Sequence, residues 1–308
     1  MRRMHTLGVA ALCAIVAGLA GIAAALGVFA RGDGAFQTVT SVRGVTYEMA
    51  TSGVYAYNSQ RVVAEGVGWD VFTLFVAVPA MLVALPFVAR GSFRGRLFAI
   101  GLLGYFFYQY IEYSVTWAFG PLFLLFIAIY AASIAGIAWL GVLLARTDID
   151  RHADGRFPGR AFAVVSATLA VLLSMSWFQR IALGLGGDLE AAGLRGETTM
   201  VVQALDLGLV VPATLFVAAM AWRRTPAGQV LAAVFAVTAV AMATAIVAML
   251  ISAGMVEGAF ELPPLVIFGG FVATIGYLGF QTYQMLGRGE RPQVAPHPGR
   301  TAVASRAA

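Results

Sequence analysis

Asp70, Glu112 and Asp206 are the three acidic side chains that fall inside apolar stretches long enough to make a membrane helix. A carboxyl group inside a bilayer costs roughly 2.5–3.5 kcal/mol on insertion scales, so it normally has a partner, water or a task. In that setting it can bind and release a proton, or line the path of a small solute. Around Glu112 the chain reads Gly104-Tyr105-Phe106-Phe107-Tyr108-Gln109-Tyr110-Ile111-Glu112-Tyr113. Tyr105, Tyr108, Gln109, Glu112 and Thr116 fall at i, i+3, i+4, i+7 and i+11, one stripe of a helix. Phe106, Tyr110, Tyr113 and Trp117 lie on another face, which suits an aromatic belt. Thr199, Gln203 and Asp206 repeat the theme at i, i+4 and i+7. Arg180, beside Gln179, is the most available cation and is expected to pair with Asp206 or Glu112, closing the outer half of a bundle.

The elements that must hold these residues are read from hydropathy. A span needs about 20 apolar residues. Eight segments qualify: 7–29, 70–89, 97–118, 121–145, 161–182, 199–222, 229–252 and 263–286. Pro79, Pro86 and Pro212 fall inside spans, where the missing N–H predicts kinks or local irregularity. The chain has no lysine; fifteen of its arginines lie in the N-terminus, the 90–96, 146–160 and 223–228 loops and the tail, and five in the alternate loops. Positive residues stay cytoplasmic, so both termini are expected inside. The outer segment 31–68 contains Thr-Val-Thr-Ser-Val and Val-Thr-Tyr, which suit short strands, and 53–69 suits an amphipathic stretch on the outer surface. The tail 288–308 lacks apolar periodicity and is expected to be disordered.

Composition agrees with a membrane class. Of 308 residues 60% are hydrophobic and 11% charged, with mean hydropathy +0.84; a soluble domain has about a quarter charged. The single cysteine, Cys13, leaves no internal disulfide and no multi-cysteine cluster and reads as a packed thiol. His5, His152 and His297 lie in predicted cytoplasmic segments, which argues against a membrane haem, zinc or di-iron site. No cofactor and no metal is expected. Walker, Gly-x-Ser-x-Gly and His-Glu-x-x-His patterns are absent from the sequence. The net charge of +5 reads as topology rather than as a nucleic-acid surface. The apolar run after Met-Arg-Arg-Met-His is longer than the roughly 7–15 residues of a signal-peptide core, so an uncleaved first span is expected. The pairs Gly18/Gly21, Gly101/Gly104 and Gly276/Gly279 have the spacing of close helix packing.

A shift of 133 residues superposes part of the chain on itself: Pro79-Ala80 on Pro212-Ala213, Leu82 on Leu215, Arg90 on Arg223, Gly95 on Gly228 and Ala99 on Ala232. Asp70 then falls on Gln203, and Thr73 on Asp206. The expected domains are a first four-helix half, 1–146, a cytoplasmic linker, 147–160, and a second half, 161–287. A parallel repeat of this kind is a feature of some transporters. The runs Asp70…Pro79…Arg90-Gly-Ser-Phe-Arg-Gly-Arg-Leu, the Tyr-rich stretch through Glu112, and Leu122-Phe-Leu-Leu-Phe-Ile-Ala-Ile-Tyr130 resemble a pattern in uncharacterised bacterial multi-pass membrane proteins. That resemblance covers about a quarter of the chain and brings no activity with it.

The expected fold is therefore an all-α bundle of eight transmembrane helices in a bacterial inner membrane, with the lipid bilayer as its first partner. The leading functional expectation is small-solute or proton-linked transport. Asp70, Tyr105, Tyr108, Gln109, Glu112, Arg180, Gln203 and Asp206 would line an outward-facing polar cavity. Glu112, among aromatics, is the expected proton-binding group, because desolvation disfavours a charged carboxylate. Alternatives are a non-catalytic assembly or sensor subunit with a protein partner, and a lipid-modifying enzyme. The polar stripe can also serve simply as glue between helices.

Overall fold

The structure is a computed structural model and describes residues 2–287. The 288–308 tail lies outside the described residues. Among these, eight long helices make up the fold: α1 Arg2–Phe29, α2 Gln60–Ala89, α3 Phe93–Thr116, α4 Phe123–Ala145, α5 Gly159–Leu185, α6 Val201–Trp222, α7 Pro226–Glu257 and α8 Leu262–Met285. Seven are long and apolar enough to cross a membrane. The remaining one, α3, carries the polar stripe and is too polar to qualify. It is also wrapped by α1, α2, α4, α6 and α7, with nearly all of Leu97 to Tyr113 buried or half-buried. Polar groups that lipid would reject are enclosed by other helices. The protein is an all-α polytopic membrane bundle.

Between α1 and α2 the chain forms an antiparallel hairpin, β1 Phe36–Thr40 and β2 Thr46–Ala50, with Phe36 opposite Ala50 and Thr40 opposite Thr46. The short strands fall where the β-branched residues predicted them. The 53–69 stretch is a correction. It is not a surface amphipath, because α2 begins at Gln60, capped by the Ser59 hydroxyl, which accepts from Val62 N–H. Its modest hydropathy is offset by packing. Gly68 leaves no room for a Cβ against the α7 backbone at Ala248, and Gly66 meets the Trp117 ring.

Two helices widen at related places. Residues Thr73–Ala77 of α2 and Asp206–Val210 of α6 are π-helical, each 133 residues from the other, and each precedes an X-Pro step at Pro79 or Pro212. A proline inside a helix clashes with the carbonyl four residues back and supplies no N–H, and a π-bulge absorbs both faults. The likeness continues into the inner turns. Ser92 caps Gly95 N–H as Thr225 caps Gly228 N–H, and Gly91 and Arg224 both take positive φ. A side chain on Gly95 would strike Phe87, and one on Gly228 would strike Met220, so the same tight turn recurs.

Helix neighbours follow the same pattern. α1 packs on the inner half of α2, α2 on α3, α3 on α4 and α4 on α1; α5 packs on α6, α6 on α7, α7 on α8 and α8 on α5. The two rings meet where α3 lies against α7 and the outer half of α2 lies against α7. At the centre of the α3–α7 contact a Cβ on Gly101 would sit 2.8 Å from the Val234 carbonyl oxygen, and one on Gly104 2.9 Å from the Thr238 hydroxyl. Thr238 Oγ1 donates to the Gly101 carbonyl at 2.8 Å. Gly279 likewise meets Ala236, whereas Gly18 has nothing within 4 Å. Close packing therefore holds for Gly101, Gly104 and Gly279 and fails for Gly18, which is exposed.

Candidate functional site

The stripe on α3 does not face one cavity. It divides between two flanks. On the α2 side, Thr73 bonds Tyr105 Oη at 2.6 Å, Gln109 Oε1 at 2.9 Å and the Trp69 carbonyl at 3.0 Å. A threonine hydroxyl has one proton. That proton goes to Gln109 or to the Trp69 carbonyl, so Tyr105 O–H donates to Thr73. Asp70 lies one turn earlier and is wholly buried. Tyr55 O–H donates to one of its oxygens, and Tyr113 O–H approaches the other at 3.5 Å while reaching the Gly66 carbonyl at 3.3 Å. Gly27 of α1 makes this possible, because a Cβ there would lie 1.9 Å from Asp70 Oδ2.

On the α6 side, Tyr108 O–H and the Trp177 indole N–H donate to the two oxygens of Asp206, the indole at 2.8 Å. Asp206 is the first residue of the π segment of α6, which places its side chain toward α3 and α5. Glu112 is one turn beyond Tyr108 on α3 and shares its face. It is 8% exposed and lies within electrostatic reach of Asp206 and Glu65. Among the described residues it makes no hydrogen bond and no ion pair. Two buried carboxyls thus lie near the α3–α6 contact, Asp206 held by Tyr108 and Trp177 and Glu112 one turn along α3 from Tyr108, with no ion pair to either among the described residues.

Other expectations need correction. Arg180 forms no ion pair with Asp206 or Glu112; its guanidinium stacks over the Trp177 ring at 5.3 Å. The π face of Trp177 holds the cation while its N–H holds the acid. Gln203 is buried one turn before Asp206, yet no hydrogen bond joins it to the cluster. Phe106, Tyr110 and Tyr113 are not a boundary belt: all three are enclosed, and Tyr110 O–H donates to the Ala20 carbonyl of α1 at 3.1 Å. The outward-facing polar cavity is not open in this conformation, since Asp70, Thr73 and Gln109 have no exposed surface. A depression no larger than a water molecule opens on the outer face between Tyr55, Tyr113, Trp117, Phe123 and Phe126. Among the described residues no three His, Cys, Asp or Glu side chains converge as metal ligands.

Sequence reasoning missed Tyr55, Trp177 and Glu65. Trp177 had a usable signal, since it precedes Arg180 by three residues on one helix. Tyr55 had none, because it sits in a loop whose path depends on the whole bundle. Compared with protein-family models, curated proteins and solved structures, the chain matches none. What can be said of the protein therefore rests on its own geometry: it is a multi-pass helical membrane protein with two separate buried acidic sites, Asp70 in one and Glu112 with Asp206 in the other.

Proposed function

We propose that the protein binds and exchanges a proton at Glu112 and Asp206, in the service of proton-linked movement of a small solute across a bacterial inner membrane. The observation that supports this most is Glu112 itself. It is a buried carboxyl without a hydrogen bond or an ion pair, one turn along α3 from Tyr108, whose O–H is given to Asp206. In this reading Glu112, with no donor and no cation beside it, holds the proton, and Asp206, with two donors, holds the charge. In this reading α3 is an eighth span, the chain is two four-helix halves, and the inner surface is the arginine-rich one. The enclosed polar residues then describe a closed state, and transport requires the two halves to move.

The test is infrared spectroscopy of the protein in lipid nanodiscs across a pH series. The wild-type spectrum should carry the carbonyl stretch of a protonated carboxylic acid. Glu112→Gln should remove one component of that band, read as the difference from wild type, and Asp206→Asn should shift that component. Identical spectra for wild type and Glu112→Gln, with both proteins folded, would defeat the proton reading.

A further inference from the structure

Arg61 stands at the outer end of the seam between the two helix rings. Its Nε donates to Glu65 on the next turn of α2 at 2.8 Å. Its two terminal nitrogens reach across to the second ring, to Glu257 at 3.2 Å and Glu261 at 2.6 Å. Glu257 ends α7 and Glu261 precedes α8, with Gly258 turning the chain between them at φ 73. One guanidinium thus ties the start of α2 to the tight α7–α8 turn. Behind it, Glu65 feels Arg180 and Arg195 as well as Arg61, and Glu112 feels Glu65. Glu65 and Glu112 stand on neighbouring helices, α2 and α3, both of which pack on α7. Small residues line part of the seam: Gly68 touches the α7 backbone, and Ala64, one turn nearer the surface on the same face, is buried. Small residues let two helices close tightly but give them little to hold on to. A planar guanidinium with three carboxylates supplies a directional and reversible hold.

We propose that Arg61 is the bolt of an outer gate: its bridges to Glu257 and Glu261 keep α2 closed on α7 and α8, and their release opens a path past Glu65 to Glu112. The path gains its purpose from the proton reading above, but the closure is tested without it.

Cys13 is the protein's one cysteine and is buried, so Cys13→Ala gives a clean background for a reporter. Ala64→Cys places a thiol in the α2–α7 seam. Its reaction with a membrane-impermeant maleimide is timed in nanodiscs, first with Arg61 intact, then in Arg61→Gln, then in Glu257→Gln/Glu261→Gln. Both sets of changes cut the same bolt from opposite sides, and each should speed labelling roughly tenfold, the population shift that follows from about 1.4 kcal/mol of lost closing free energy. The exchanged pair Arg61→Glu/Glu261→Arg should return the rate toward its starting value. Equal labelling rates in all of these proteins, with elution profiles showing them folded, would overturn the gate. The labelling rate does not depend on protonation of Glu112, and the infrared band does not depend on the seam. A negative result in one assay therefore leaves the other proposal standing or falling on its own measurement.

Discussion

At the residue scale the firmest geometry surrounds Asp70. Its carboxyl has no cation beside it; two tyrosine hydroxyls and the absence of a side chain at Gly27 define its place. Tyr55→Phe removes one donor and leaves a buried oxygen unpaired, a change that costs about 1–3 kcal/mol. The thermal midpoint in detergent should fall accordingly. Gly27→Ala should cost at least as much, since its methyl would overlap the carboxylate. Joined with Asp70→Ala, it should cost less than the two changes summed, because the second removes the atoms that the first strikes. A strictly additive pair would mean that Gly27 serves some other contact. Outside the membrane, Asp33 offers a pH effect with a defined sign. Ser52 O–H and the Ala35 N–H bond its carboxylate and hold it below the usual aspartate range. A group depressed on folding stabilises above its unfolded pKa and loses that contribution as pH falls through its folded one. The protection of the Ala35 amide, its exchange rate taken relative to the intrinsic rate at the same pH, should therefore be greater at neutral pH than in acid, and Ser52→Ala should flatten that dependence. The acids themselves were legible from the sequence, because a charge in an apolar run is conspicuous. Their partners were not. Trp177 and Tyr55 are ordinary aromatic residues until the bundle brings their polar tips to a carboxyl.

At the scale of the helix, each of the eight apolar segments falls on a long helix, seven of them long and apolar enough to cross a membrane, but hydropathy misjudged their ends and faces. α2 starts ten residues before its predicted position at 70, and α7 runs from Pro226 to Glu257 rather than 229–252. Hydropathy sees contact with lipid, whereas the added turns of α2 are buried or half-buried against other helices; the C-terminal end of α7, with Met255 and Val256 exposed, extends into the Arg61 ion pairs instead. The same cause explains why Tyr110 and Tyr113 read as a belt: periodicity gives a face, not the neighbour it meets. The proline positions were informative. Pro79 and Pro212 predicted irregularity, and the widening precedes each of them. Glycine spacing alone was not, since Gly101 and Gly18 look alike in sequence and differ wholly in surroundings. Gly101→Leu should collapse the α3–α7 contact and abolish the monodisperse elution peak, because its first carbon would already lie 2.5 Å from Val237 Cβ. Gly18→Leu, on an exposed face, should leave the peak in place and shift the midpoint little. A normal elution peak for Gly101→Leu would contradict the packing described for α3 and α7.

At the scale of the whole molecule, the two rings are alike in frame and unlike in content. The positions 133 residues beyond Tyr108, Glu112 and Tyr113 hold Ala241, Ala245 and Ile246, so α7 carries no counterpart of the polar stripe. Asp206 instead reaches out of its own ring to Tyr108 of the other. The Glu112–Asp206 site therefore belongs to neither half alone, whereas the Asp70 site is built entirely from α1, α2, α3 and the loop before α2. This difference makes the two-half arrangement testable. Coexpression of residues 1–153 and 154–308 as separate chains should yield a complex that copurifies, since each ring closes on itself and α3 meets α7 with backbone-close contacts. Gly101→Leu in the first fragment should abolish the complex while sparing the fragment. The Asp70 site should survive in the first fragment alone, so Tyr55→Phe should lower that fragment's midpoint as it does in the intact chain. The infrared band assigned to Glu112 should depend on the second fragment, because without α6 and α7 the helix that carries it loses its cover on that side. A first fragment that shows the same band at the same position, with no second fragment present, would place that proton elsewhere and remove the reason for joining the two halves at this site.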